Sequence, residues 1–189
     1  MIYTGQKISL RRITHDDCTL TYVSWLNDPE VSRYLETRHT PQNLFSVVEF
    51  VSQQMGSKNS HLLAIIENFT SQHIGNIKIG PIDKHHMTAD ISYFLGKAHW
   101  GNGFATEAIT GATRYAFDTL GLRLLKAGCY GRNVGSLKAL QRCGFQEYGR
   151  IHNALLCEDG TADDHVYLSL HAPVTVTPET RCIAAKVLT

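Results

Sequence analysis

Two glycines one residue apart, Gly101 and Gly103, stand between an apolar run ending at Leu95 and a helix-spaced stretch that begins near Ala105. Glycine lets a ligand approach the backbone closely. The first amides of a helix are unpaired donors at the positive end of its dipole. Such a junction suits a phosphate or pyrophosphate, held by N–H groups without a lysine. Tight turns also use glycine with no ligand present, so the loop alone does not decide. A dinucleotide fold would need GxGxxG after an early strand and an acid about 20 residues later. Here the strand is late, Glu107 is too close and position 106 is Thr.

Other reactive side chains point away from metal and disulfide chemistry. The five cysteines, Cys18, Cys129, Cys143, Cys157 and Cys182, are odd in number and lack CxxC spacing, so reduced thiols are expected. Ten histidines include no HExxH pattern, and adjacent His85 and His86 fall in a polar turn; no metal is expected.

The elements that must carry the loop can be read from periodicity. Asp16 and Asp17 predict the cap of a helix through Leu20, Val23, Trp25 and Leu26. Residues 27–30, NDPE, end it and start another with Pro29 in its first turn. A third helix is expected from Pro41 to Met55. Strands follow at Leu62 to Ile66, Ile74 to Ile79 and Ile91 to Leu95, with a turn from Pro81 to His86. Ala105, Ala108, Ile109, Ala112 and Ala116 make one small apolar stripe of a helix from Gly103 to Leu120, ended by Gly121. A strand at Leu124 to Tyr130, a helix at Val134 to Cys143 and strands at Phe145 to Leu156 and His165 to Leu170 complete the reading.

With 189 residues, 43% of them apolar, the chain suits one domain, residues 1–171, followed by an extension at 172–189 that packs as a strand or stays mobile. Eighteen Lys plus Arg against seventeen Asp plus Glu give a charge of +1, which supplies no field for nucleic acid. No run approaches the roughly 20 apolar residues of a membrane span, and no signal-peptide core is seen. A cytoplasmic protein, monomer or homodimer, without membrane or nucleic-acid partners is expected.

Residues 100–109, WGNGFATEAI, in the frame Ile91-Ser-Tyr-Phe-Leu-Gly, resemble the acetyl-CoA segment of GNAT acetyltransferases, whose pattern is Q/R-x-x-G-x-G/A. Gly103 and Ala105 match, and Trp100 in the Gln/Arg place resembles the RimJ/RimL-like branch. Residues 133–145, NVGSLKALQRCGF, are similar to the family's N-x-x-S-x-x-x-L-x-x-x-G-F. The amino-terminal LRRITHDDCTLTYVSWLNDPEVSRYL also resembles that branch, so the likeness covers nearly all of residues 8–170.

The resemblance implies an α/β fold of the α+β kind. Its central sheet is mixed and mostly antiparallel, with six to seven strands splayed at the cofactor site and helices on both faces. It implies acetyl-CoA as cosubstrate, bound by Tyr93, Phe94, Leu95, Trp100, Gly101, Asn102, Gly103, Phe104, Ala105, Thr106, Asn133 and Ser136. A primary amine would attack the thioester directly through a tetrahedral intermediate, with an amide near Leu95 facing the oxyanion. The Tyr that reprotonates the thiolate in many relatives is replaced here by Leu140, which leaves water, Ser136 or Tyr130 as proton source. Asp90 is the candidate base, with Glu67 the alternative, and Asn133 and Ser136 complete the catalytic set; Asn133 also reads as a helix cap. At pH 7 about a tenth of an α-amine is neutral, against about four in ten thousand for lysine, which favours an α-amine or amino-sugar amine. Arg33, Tyr34, Arg38 and His39 are the candidate acceptor contacts. The acceptor is an amino sugar (nucleotide), slightly favoured, or a protein N-terminal amine. A non-catalytic acetyl-CoA-binding domain is the alternative, and a plain interaction domain a third.

Overall fold

The computed structural model describes residues 1–173; most of the expected 172–189 extension, Cys182 included, lies outside them. Eight strands form one sheet: β1 (Tyr3–Thr4), β2 (Ile8–Arg12), β3 (His61–Glu67), β4 (His73–Asp83), β5 (Thr88–Leu95), β6 (Leu124–Tyr130), β7 (Gln146–Leu156) and β8 (Ala162–His171). Five helices accompany them: α1 (Leu20–Asn27), α2 (Pro29–Ser32), α3 (Leu44–Gly56), α4 (Phe104–Arg114) and α5 (Val134–Arg142). The sheet order is β1-β2-β3-β4-β5-β6-β8-β7, and every neighbour is antiparallel except β5 and β6. Eight strands exceed the expected six to seven. β1 has only two residues, and β2, ISLRR, buries its first three residues in a row and so shows no alternation.

Alternation along the central strands sends Ile77, Ile79, Ile91, Leu95 and Leu125 to one face, where the small stripe of α4 closes on them. Ala108, Ile109, Ala112 and Ala116 are fully buried there. Truncating one of these isoleucines to Ala is worth about 2–5 kcal/mol of stability. On the opposite face Tyr22, Leu26, Val47 and Val51 of α1 and α3 close a second, smaller core over Leu62.

Helix ends largely follow the expected chemistry. Asn43 caps α3 by accepting from Ser46 N, and Asp28 caps α2 ahead of Pro29. The cap expected of Asp16 and Asp17 belongs to Thr19, whose hydroxyl accepts from Tyr22 N. Asp17 is buried instead at the end of a short 3-10 turn, where Arg11 donates to both its oxygens at 2.7 and 2.6 Å. After Arg114 the helix widens into a π turn, Tyr115–Thr119. The Tyr115 hydroxyl there meets His61 Nδ1 at 2.9 Å.

Candidate active site

β5 and β6 pair over only three rungs, Thr88↔Leu124 to Asp90↔Lys126, and then part. From Ile91 and Ala127 onward each strand shows the other an unpaired edge, in the middle of the sheet. Successive amides of a strand point to opposite edges. Gly96 N donates to Ile74 O at 3.0 Å on the β4 side, so the Leu95 N–H faces the gap. The Leu95 carbonyl faces it too, and the Trp100 indole N–H satisfies that oxygen at 2.9 Å. A free donor therefore remains beside an acceptor already matched.

The glycine loop closes one end of this gap. Gly101 and Gly103 have φ of 78° and 81°, a region that a side chain disfavours. No side chain caps α4. Glu107 N is the first amide to close a helical turn, onto Gly103 O at 3.1 Å, which leaves those of Phe104, Ala105 and Thr106 free. Lys7 pins the loop: its ammonium donates to Asn102 O at 2.9 Å, and its backbone N–H donates to the Glu107 carboxylate. Lys7 lies 95 residues from Asn102 in the chain, so no local spacing could have pointed to it.

A cleft of about 530 Å3 runs from the loop along the gap, lined by Tyr93, Phe94, Leu95, Trp100, Gly101, Gly103, Phe104, Ala105, Thr106, Asn133 and Ser136. Asn102 is not among its lining residues. Arg33, Arg132, Lys138 and Arg142 also border this cleft. The last three escaped the sequence reading, although Lys138 and Arg142 sit one helical turn apart on α5, the spacing that puts two charges on one face. Arg132 is tied to Thr161 Oγ1 at 2.7 Å and lies 3.8 Å from Asp159.

A second cleft, about 590 Å3, opens on the opposite face between α1, α3 and the sheet. Tyr34, Leu35, Tyr93, Phe94, Asn133 and Ser136 line both, so the two meet there. At the meeting point the Tyr93 hydroxyl lies 3.0 Å from Ser136 Oγ. Burial pushes the Tyr93 phenol up to about 12, although the Ser136 contact draws it back. Asn133 caps α5 by accepting from Ser136 N at 3.2 Å. Leu140 is buried beside the second cleft, with no hydroxyl to offer.

The remaining candidates are placed elsewhere. Asp90 lies on the last paired rung before the strands part, its carboxylate 3.3 Å from Lys126 Nζ, and it borders neither cleft. Glu67 is likewise outside both and accepts from Thr70 Oγ1 at 2.6 Å. Arg38 is buried: it donates to Tyr130 Oη at 2.6 Å and to Leu35 O at 3.1 Å, with its guanidinium over the Tyr130 ring. It braces the cleft wall and is not among the lining residues of either cleft. His39 is exposed beside Glu36, outside both clefts. Tyr34 lines both clefts, but Arg33 borders only the first. His165, unnoticed in the sequence, lines the second cleft over Gly128, where a Cβ would stand 2.5 Å from its Nε2. Among the described residues, no three His, Cys, Asp or Glu side chains gather as metal ligands, and no helix is long and apolar enough to cross a membrane.

Comparison with known proteins agrees with this geometry. The family described as Acetyltransferase (GNAT) domain matches residues 7–146. The chain is similar to the uncharacterized N-acetyltransferase p20 of Bacillus licheniformis, 30% identical over 80% of this chain and 85% of that one. It is also similar to the uncharacterized N-acetyltransferase YoaA of Bacillus subtilis, 29% identical over 88% and 94%. In fold it resembles the Vibrio cholerae spermidine N-acetyltransferase solved with CoA and spermine, at 19% identity and a TM-score of 0.78 over 87% of this chain and 95% of that one. The splayed sheet, the uncapped glycine loop and the matched sequence together place the chain among the GNAT acetyltransferases, as an N-acetyltransferase.

Proposed function

We propose that the chain moves the acetyl group of acetyl-CoA to a primary amine, as a member of the RimJ/RimL-like branch. The observation that carries this is the meeting of two clefts at the parting of β5 and β6, one lined by free backbone donors and the other by side chains. The amides of Phe104 to Thr106 hold the pyrophosphate, and Gly101 and Gly103 keep that backbone open, with Asn102 shaping the turn between them. The unpaired edges of β5 and β6 take the pantetheine arm, and Asn133 borders the thioester. Arg142 and Lys138 supply positive charge along the same cleft.

Acetyl-CoA brings the activated acyl group; the chain supplies position and protons. Leu95 N–H is a fixed donor for the oxyanion, and its orientation is set before reaction by the β4 pairing and the Trp100 bond. Ser136, backed by Tyr93, stands where a departing thiolate would need a proton, the place Leu140 cannot fill. On the acceptor side, His165 is the side chain in the cleft suited to take a proton from the incoming ammonium. Tyr130 also lines this cleft, its hydroxyl oxygen accepting from Arg38 at 2.6 Å while its own proton stays free.

The acceptor classes suggested by family resemblance are amino sugars and N-terminal α-amines; the Vibrio cholerae relative adds polyamines. Calorimetric binding of acetyl-CoA, followed by thiol release over a panel of the three, tests the proposal. Binding with acceptor-dependent release supports the transferase. Binding without any amine-dependent release would favour a sensing domain, and no binding by folded protein would overturn the cofactor assignment.

A further inference from the structure

The acceptor cleft has a charge pattern that narrows its ligand, on the reading that this cleft takes the amine. Glu36 is the one carboxylate among its lining residues; it lies on the exposed rim, within 4.0 Å of Arg38 and 3.8 Å of His39. Inside, the walls are mostly aromatic and aliphatic, with Tyr22, Val47, Phe50 and Phe94 prominent. A polyamine carries several positive charges, and desolvating each without a counter-charge is costly. This cleft has no interior carboxylate to offset that cost.

Two donors on one strand face stand without partners in the same cleft. Asn76 and Lys78 are two residues apart on β4 and so point to the same side of the sheet. Asn76 is 2% exposed, its oxygen meets His73 Nε2 at 2.9 Å, and its amide nitrogen, beside the Tyr22 hydroxyl, has no partner within hydrogen-bond distance among the described residues. Lys78 forms no ion pair among the described residues; it sits between Leu62 on β3 and Ser92 on β5, all three lining the cleft. A buried amide donor left unpaired is costly, and a ligand oxygen would recover that cost.

We propose that the acceptor is a monoamine with an apolar or aromatic body and an anionic oxygen group, the anion meeting Lys78 and a neighbouring oxygen meeting Asn76. The class is that of apolar α-amino acids and short peptides, whose amine, carbonyl and carboxylate lie on one small frame. Polyamines lack the oxygens, and phosphorylated amino sugars lack the apolar body.

The test measures kcat/KM by thiol release for phenylalanine and phenylalanyl-alanine, each against its carboxamide, with glucosamine 6-phosphate and spermidine alongside. The wild-type protein should prefer each carboxylate over its carboxamide and both over spermidine and the sugar phosphate. Lys78→Met should collapse the carboxylate preference by about tenfold, since a charge-assisted contact is lost. Equal effects of Lys78→Met on carboxylate and carboxamide, or a preference for spermidine or the sugar phosphate, would overturn the proposal. Acetyl-CoA binding measured on both proteins separates the two readings: binding with the wrong preference sinks this one alone, and failure to bind sinks both.

Discussion

The two clefts are built on opposite plans. The cofactor cleft is made largely of backbone: two positive-φ glycines, an uncapped helix start and two strand edges that face each other without pairing. The acceptor cleft is made of side chains gathered from α1, α3, β3, β4, β5, β6 and β8. Backbone recognition survives exchange of most side chains but not of the glycines. Side-chain recognition changes with any one of several distant residues. One scaffold can thus keep its donor and change its acceptor.

That contrast is sharpest at Gly103. Gly103→Val forces a β-branched residue into φ 81° and alters the loop whose amides are free, so acetyl-CoA affinity should drop by about a hundredfold or more, read by calorimetry. Circular dichroism should show the fold retained; unchanged affinity in a folded variant would undo the backbone account. Next come the groups shared by both clefts. Ser136→Ala should lower kcat by about a hundredfold with little effect on acetyl-CoA affinity, and Tyr93→Phe should do the same more mildly. Equal losses of affinity and turnover would make the pair a packing contact.

Smaller still is the effect expected on the acceptor side alone. His165→Gln should reduce kcat/KM for the amine by roughly tenfold while acetyl-CoA affinity stays unchanged. An unchanged kcat/KM would exclude His165 as the proton acceptor.

The least effect on turnover should come from Asp17→Asn, which attacks the support of the acceptor cleft. Burial pushes the Asp17 carboxyl up, but the Arg11 fork, the Thr14 N–H and the nearby His73 and Arg11 charges together hold it below the usual carboxylate range. Its stabilisation is therefore complete above the ordinary aspartate value of about 4 and is lost as pH falls through that value toward the lower folded one. Asn should cost about 2–4 kcal/mol at pH 7, by denaturant melts, and that difference should shrink in acid. A pH-independent difference would mean that the carboxylate charge is not what matters.

Legibility in the sequence followed the same division. The glycine loop, Asn133, Ser136 and the β5–α4 junction were readable because their constraints are local: a positive φ, a helix start, a cap. Lys7 and His165 were not, since their roles arise from strands that meet across long stretches of chain. Asp90 was assigned by resemblance, but the strand pairing holds it beside Lys126, one rung short of the opening. Arg38 was read as a candidate acceptor contact, and folding buries its side chain against Tyr130, 92 residues away. The strands β1 and β2 went unread because β1 has two residues and β2 buries three residues in succession where alternation was sought.

The short pairing of β5 with β6 also couples occupancy to endurance. Amides on the parted edges have no cross-strand partner, so they should exchange with solvent faster than those on the paired rungs and slow when pantetheine lies between them. A ligand that binds only the folded chain adds RT ln(1 + [L]/Kd), about 2.7 kcal/mol at a hundredfold excess over Kd. Filling the break in the sheet with acetyl-CoA should therefore brace the chain against unfolding as well as ready it for chemistry.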